Sequence, residues 1–407
     1  MRPLLVREVS LAVAFVALLF SSPGCSLERY GKAAGKQRSK AKNIIFMVTD
    51  GMGLADVTAA RIFKNGSDGV RLHLETLSHT GLQRTHSADN YVTDSAAAAS
   101  AWANGEKFRN GEISCHDDNR DGKCEPAPGP TILEIAKGKR KSTGLVVTSA
   151  VTHATPAAFG AHVFTRGCEN EIARQYIQVT GVDVILGGGL NRFDTNVENG
   201  DECSTYGNFI AEAETRGYQV VYTKNAMDSS VARGSEKILG LFAPKGKTPE
   251  LFRVDPEVQY PPAEPTLAQM TAAALNILEK DRNGFFLLVE GSQIDWANHR
   301  NNLTYQIAET LGFDEAVKVV LDWINHEPRR KWNTLVIITP DHETGGFAIN
   351  AMDGGSYAPG DLVKDAWTTG EHTATDVPVW SQGPGSRYLG RAHDNTDLYK
   401  VMKEVLR

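Results

Sequence analysis

Short apolar, β-branched runs recur along this chain at Asn43–Val48, Thr143–Thr148, Val182–Leu186, Phe285–Val289 and Thr334–Ile338. Each is bounded by Gly, Asn or Asp, the pattern of a strand buried on both faces. Helical periodicity over Leu267–Lys280 and Tyr305–Trp323 separates the later runs. Strands alternating with helices predict an α/β fold around a largely parallel central sheet. With no internal repeat and no long linker after Lys42, residues 43–407 read as one compact domain.

The residues at the end of each run narrow the chemistry. The first run ends at Thr49-Asp50-Gly51, the second leads to His153-Ala154-Thr155-Pro156, and the later two end at Glu290-Gly291 and Asp341-His342. In open α/β sheets ligands bind beyond the carboxyl ends of strands. A single Asp there is usually a turn former or a cap. Four strand ends that deliver metal-type ligands to one sheet edge are hard to explain in that way.

The N-terminus reads as a targeting segment. Arg2 and Arg7 precede an apolar run from Val9 to Phe20, followed by Ser21-Ser22-Pro23-Gly24. That run is too short to span a membrane comfortably, so residues 1–24 read as a secretory signal peptide. Cys25 after a small residue resembles a bacterial lipoprotein processing site, although Ser22 stands where an aliphatic residue is usual. Residues 25–42 then form a Lys-rich tether, and the protein is expected to be exported, periplasmic or anchored to a membrane by lipid on Cys25. The remaining cysteines are Cys115, Cys124, Cys168 and Cys203, and proximity favours Cys115–Cys124 and Cys168–Cys203 among three pairings. No C-x-x-C pair suggests a thiolate zinc site. A formal net charge of −6 offers no basic field for nucleic acid.

Within the ligand-rich region, Asp295 and His299 are spaced to share one face of a helical turn and chelate one cation. Alone this motif is common on solvated helices; its place just after Glu290 raises its value. Asp341 and His342 diverge unless a turn brings them together. His372, in Gly370-Glu371-His372-Thr373, could complete a ligand set, although a lone His is more often a surface or capping residue. Thr93-Asp94-Ser95 heads an Ala-rich run that reads as a helix. Capping is the commoner use of Asp-Ser there, whereas the functional reading is a nucleophilic Ser95 at a helix N-terminus that favours phosphate. Walker and G-x-S-x-G motifs are absent, as is a sulfatase-like Cys-x-Pro-x-Arg site, which disfavours an ATPase, an esterase and a sulfatase.

Taken together, Asp50-Gly51-Met52-Gly53, Val92-Thr93-Asp94-Ser95-Ala96, His153-Ala154-Thr155-Pro156-Ala157, Glu290-Gly291-Ser292-Gln293-Ile294-Asp295, Asp341-His342-Glu343-Thr344-Gly345-Gly346 and Gly370-Glu371-His372-Thr373 resemble the alkaline phosphatases, in family order, from about Asn43 to Leu406. The resemblance implies a three-layer α/β/α sandwich and hydrolysis of small-molecule phosphate monoesters through a phosphoserine at Ser95, with broad range and an alkaline optimum. It implies one zinc ion on Asp295, His299 and His372, and a second on Asp50, Asp341 and His342 beside Ser95. A third ion, usually Mg2+, would take Asp50, Thr155 and Glu290, with His153 next to it. Arg166 would clamp the phosphoryl oxygens, oriented by Asp94. Family members are often homodimers, so a homodimer is expected here.

His153 and Trp296 stand where some relatives carry Asp and Lys or His, which leaves the identity of the third ion open. A separate run, Asp117-Asp118-Asn119-Arg120-Asp121-Gly122, fits the first half of a calcium loop, with Asp117, Asn119 and Asp121 as ligands. Pro128 occupies the position of the closing Glu, so a solvated acidic turn is the bland alternative. The competing functional readings are a phosphodiesterase of the same superfamily and a metal-free phosphate-binding protein.

Overall fold

The computed structural model describes residues 40–119, 121–124, 129–194, 202–203, 207–254, 263–350 and 355–407. The expected signal peptide and most of the tether, with Cys25, lie outside these residues, as do Arg120 and Pro128.

Fourteen strands are described: β1 (Asn43–Thr49), β2 (His79–Arg84), β3 (Ser142–Ala150), β4 (Val184–Gly188), β5 (Gln219–Val221), β6 (Ile238–Leu241), β7 (Phe285–Gly291), β8 (Thr334–Thr339), β9 (Glu343–Thr344), β10 (Ala348–Ile349), β11 (Asp365–Ala366), β12 (His372–Thr373), β13 (Val377–Gln382) and β14 (Ala392–Asp394). Ten of them form one sheet in the order β14-β2-β13-β8-β1-β7-β3-β4-β6-β5. Among its described strands β13 alone runs against the rest, pairing antiparallel with both β2 and β8.

Alternation of side chains along the central strands builds two cores. Ile44, Phe46 and Val48 of β1 face one side, with Leu145, Val147, Phe286, Leu288, Leu335 and Ile337. Ile45 and Met47 face the other, with Val146, Leu287, Val289, Val336 and Ile338. The first core is covered by residues of helices Ser95–Asn104, Ile132–Gly138, Ala154–Gly160 and Thr396–Val405. Helices Leu54–Asn65, Leu267–Leu278 and Leu303–His326 contribute to the second. Because a strand's side chains alternate, a continuous apolar run needs helices on both faces, which gives the three-layer sandwich.

Ala41 bridges to Leu406 in parallel, its N–H donates to the Val405 carbonyl at 2.8 Å, and Lys42 N–H donates to Asn333 O at 2.7 Å. A short backbone ladder therefore fixes residues 41–42, with Ala41 buried in the core. Two disulfides close, Cys115–Cys124 and Cys168–Cys203, the pairing that proximity favours. Among the described residues no helix is long and apolar enough to cross a membrane.

Candidate metal centre

Neighbouring strands β8, β1, β7 and β3 end side by side, so Asp341, Asp50, Glu290 and the His153–Thr155 turn meet at one edge. Three groups of candidate ligands result: Asp295 with His299 and His372; Asp50 with Asp341 and His342; and Asp50 with His153 and Glu290. Asp50 belongs to two of them.

In the first group the helix Gln293–His299 presents Asp295 and His299 one turn apart, with His299 Nε2 3.3 Å from Asp295 Oδ2. His372 on β12 brings its Nε2 to 3.2 Å from His299 Nε2 and 3.5 Å from Asp295 Oδ1. Each imidazole uses its other nitrogen on a backbone carbonyl: His299 Nδ1 on Gly370 O at 2.6 Å, His372 Nδ1 on Thr93 O at 2.9 Å. A carbonyl only accepts, so both Nδ1 atoms carry a proton and both Nε2 atoms are turned toward Asp295, where His299 Nε2–H donates to the carboxylate in the metal-free protein and would give up that proton to bind a metal. That is the orientation outer partners impose on metal-binding histidines. The hydrogen bond to Asp295 pushes His299 up to about 9 in the metal-free protein. Burial alone would raise Asp295, but its bond with His299 and the nearby His342 and His372 hold it below the usual carboxylate range.

The second group is fully buried. His342 Nε2 lies 3.2 Å from Asp341 Oδ2, 3.8 Å from Asp50 Oδ1 and 3.4 Å from Ser95 Oγ. Asp341 turns its Oδ1 to the N–H groups of Gly51 and His342, at 3.1 and 3.0 Å. This resolves the divergence expected of adjacent residues, because the β8 end bends and Asp341 folds back on its own turn. Gly51 has φ +73°, and a Cβ there would stand 2.7 Å from Asp295 Cα, so the turn after β1 admits only glycine.

Both Asp50 oxygens, both Glu290 oxygens, Asp341 Oδ2, Thr155 Oγ1 and His153 Nδ1 are buried without a hydrogen-bond partner. Orphans on this scale are costly in an ordinary core and call for an ion or water. Burial, then the Asp341 charge, raises Asp50 well above the usual range and Glu290 to about 8. Burial, reinforced by Arg166, pushes His153 down to about 3, so its imidazole is neutral. Oxygen and neutral-nitrogen donors without counter-charge are a donor set for divalent cations.

Ser95 opens the helix Ser95–Asn104, whose residues through Ala103 are buried. Asp94 caps it, with Oδ1 accepting from Ala97 N–H at 2.9 Å. Its Oδ2 receives Arg166 Nη1 at 3.1 Å, while Arg166 Nη2 lies 3.1 Å from His153 Nε2. Capping and function thus coexist at Asp94.

The family model for alkaline phosphatase matches residues 41–365. This chain belongs to the alkaline phosphatase family. Alkaline phosphatase 4 of Bacillus subtilis is 31% identical, over 99% of this chain and 97% of that protein. The alkaline phosphatase structure from the Antarctic bacterium TAB5 superposes with a TM-score of 0.74 at 32% identity, covering 91% of this chain and 98% of that one. A histidine-to-aspartate variant of the TAB5 enzyme, also 32% identical, with a TM-score of 0.73 and coverage of 91% and 99%, has Mg bound in its M3 site. The chain is accordingly a metal-dependent hydrolase of phosphate monoesters.

All nine side chains expected as metal ligands, with Ser95, Asp94 and Arg166, converge here, and Trp296 packs edge-on to His153 at 6.3 Å between centroids. The sequence reading missed Thr344, whose hydroxyl donates to Asp295 Oδ1 at 2.6 Å. Its place in the block Asp341–Gly346 is the signal that could have found it. Away from the centre, Asp117 accepts from the N–H groups of Asp121 and Gly122 at 2.9 and 3.0 Å, Asn119 from Asp121 N–H at 3.3 Å, and Asp121 pairs with Lys123 at 3.0 Å. These oxygens serve their own turn, and the candidate metal groups among the described residues do not include them.

Proposed function

We propose that the protein is an exported phosphomonoesterase working through a phosphoserine at Ser95. Its ligands would be two zinc ions, on Asp295, His299 and His372 and on Asp50, Asp341 and His342, with magnesium as the third ion at Asp50, Thr155 and Glu290. Bound there, the ions would supply positive charge where the phosphoryl oxygens, the Ser95 oxygen and the leaving oxygen become negative. The observation that carries this reading is the buried set of unpartnered acceptors beside Ser95.

Ser95 Oγ attacks phosphorus as the bond to the leaving oxygen breaks, and the leaving group takes that electron pair. Water then attacks phosphorus, the bond to Ser95 Oγ breaks and inorganic phosphate departs. Arg166, held by Asp94, binds the phosphoryl oxygens, and the helix N-terminus favours their charge. Little in this machinery reads the leaving group, so a broad substrate range is expected. Deprotonation of Ser95 favours alkaline pH. The signal segment and Cys25 support export, with a lipid anchor and periplasmic exposure, and the family supports a homodimer. In the Asp117–Gly122 stretch the Asp117 and Asn119 oxygens accept the turn's own N–H groups and Asp121 pairs with Lys123, which favours the acidic-turn reading.

The test is p-nitrophenyl phosphate hydrolysis between about pH 7 and 11, before and after chelation and zinc restoration. Activity that rises with pH and returns with zinc supports the reading. No turnover by zinc-loaded protein would favour a diester substrate or anion binding instead.

The neutral His153 adds no negative charge beside Asp50 and Glu290, and magnesium prefers oxygen. His153→Asp is expected to tighten magnesium binding about tenfold, ~1.4 kcal/mol, measured by calorimetry on the zinc-loaded protein. An unchanged affinity would remove the charge argument.

A further inference from the structure

We propose that Asn110 is a positioning residue for phosphoryl binding, a clamp outside the site that fixes the loop carrying Asp94 and Ser95. The proposal rests on the assignment of Arg166 as the phosphoryl clamp. Asn110 Nδ2 donates to Val92 O at 3.0 Å, and its Oδ1 accepts Asp94 N–H at 3.1 Å. Its backbone N–H donates to Asp89 Oδ1 at 3.1 Å, earlier in the same loop. One residue thus grips three points of the segment that leads into the nucleophile.

The next residue extends the clamp to Arg166. Gly111 N–H donates to Asp94 Oδ2 at 3.0 Å, the oxygen that also receives Arg166 Nη1. The Gly111 carbonyl accepts Arg166 N–H at 2.8 Å. Asp94 and Arg166 are therefore held relative to each other by the Asn110-Gly111 pair as well as by their own ion pair. Thr93 O, between the two groups that Asn110 holds, accepts His372 Nδ1.

The bland alternative is a turn former. Glu112 N–H closes on Arg109 O at 3.1 Å, and Gly111 has φ +91°, so the turn itself is satisfied by glycine. A turn-forming Asn bonds its own turn. The amide of Asn110 instead reaches back 16 and 18 residues. Asn supplies what this needs, one donor and one acceptor on a short, stiff stem.

Asn110→Ala removes both amide bonds; Asn110→Asp keeps an acceptor for Asp94 N–H and loses the donor to Val92 O. Both are made in the metal-loaded full chain, alone and with Arg166→Ala. The readouts are kcat and KM for p-nitrophenyl phosphate, the Kd of inorganic phosphate by calorimetry, and thermal melting. In the wild-type background Asn110→Ala is expected to weaken phosphate binding and lower kcat/KM by about tenfold, and with Arg166→Ala by less than about twofold, the non-additivity of groups acting through one another. Asn110→Asp is expected to fall between, and keeps the test open if the alanine variant does not fold. Equal losses in both backgrounds, or a lower melting temperature with unchanged phosphate Kd, would overturn the proposal. Arg166→Ala that leaves phosphate Kd unchanged would instead locate the failure in the assignment of Arg166, and the proposal would fall with it.

Discussion

Replacing Ser95 by alanine is expected to lower kcat by roughly 10⁴-fold or more, with phosphate binding retained. The size reflects what else could attack. Ser95 Oγ is the hydroxyl at the head of the buried helix and lies 3.4 Å from His342 Nε2. Thr344 spends its hydroxyl on Asp295. Water would then have to attack phosphorus directly. Arg166 and its partner Asp94 are untouched by the change, so the clamp proposed for the anion stays in place. Rapid-quench capture of labelled phosphoserine in the wild type, and its loss in Ser95→Ala, reads the intermediate directly. A variant that retains a tenth of the wild-type kcat would mean that phosphorus is attacked by water without a covalent stage.

The metal-free protein is expected to lose stability as pH rises from about 6.5 to 9, whereas the zinc-loaded protein keeps its stability. Burial raises Glu290 to about 8 and Asp50 well above its usual range, so in the absence of metal both retain protons that the unfolded chain has released. The native state then binds more protons than the unfolded one, and stability falls by about 1.4 kcal/mol per pH unit for each such group. His299, raised to about 9 by Asp295, acts in the same direction from its unfolded value of 6.5 upward, more weakly because it is partly exposed. His153 and His342 are lowered by burial and act oppositely, but only below that value. Between about pH 6.5 and 8 these groups therefore share one sign, and above about 8 Lys141, lowered to about 8 by burial, begins to oppose them. Scanning calorimetry in chelator and in zinc across that range checks it; a flat profile in chelator would mean that the carboxyl cluster is ionised without metal.

Central strands were legible because they are buried on both faces. β1, β7 and β8 are continuous apolar runs, and their ends carry candidate metal ligands, so composition and chemistry pointed to the same positions. The outer sheet was not legible. β2 reads His-Thr-Gly-Leu-Gln-Arg with alternating exposure, and β14 has three residues; their pairing comes from the β13 return, which sequence periodicity does not reveal. Asp295 and His299 could be paired from helical spacing, whereas Arg166 came only from family resemblance. It sits after a loop with no period, and its place is set by Asp94 and by the Gly111 carbonyl, far off in sequence. Asn110 left no signal for the same reason. The Asp117–Asp121 pattern shows the converse, since acidic spacing suited to an ion is equally suited to bonding its own turn.

Strand order also sets a schedule for the making of the enzyme. β1 lies between β7 and β8, and Asn43 Nδ2 donates to Thr334 Oγ1 across 291 residues of chain. Asp50 and Ser95 are synthesised early, but Glu290, Asp295, His299, Asp341, His342 and His372 arrive only with the last third of the chain. Such long-range pairing is entropically slow and tends to come late in folding. A nascent chain therefore carries Ser95 without the groups that surround it in the folded protein, and a metal finds its candidate ligands only once the two ends of the sequence have met.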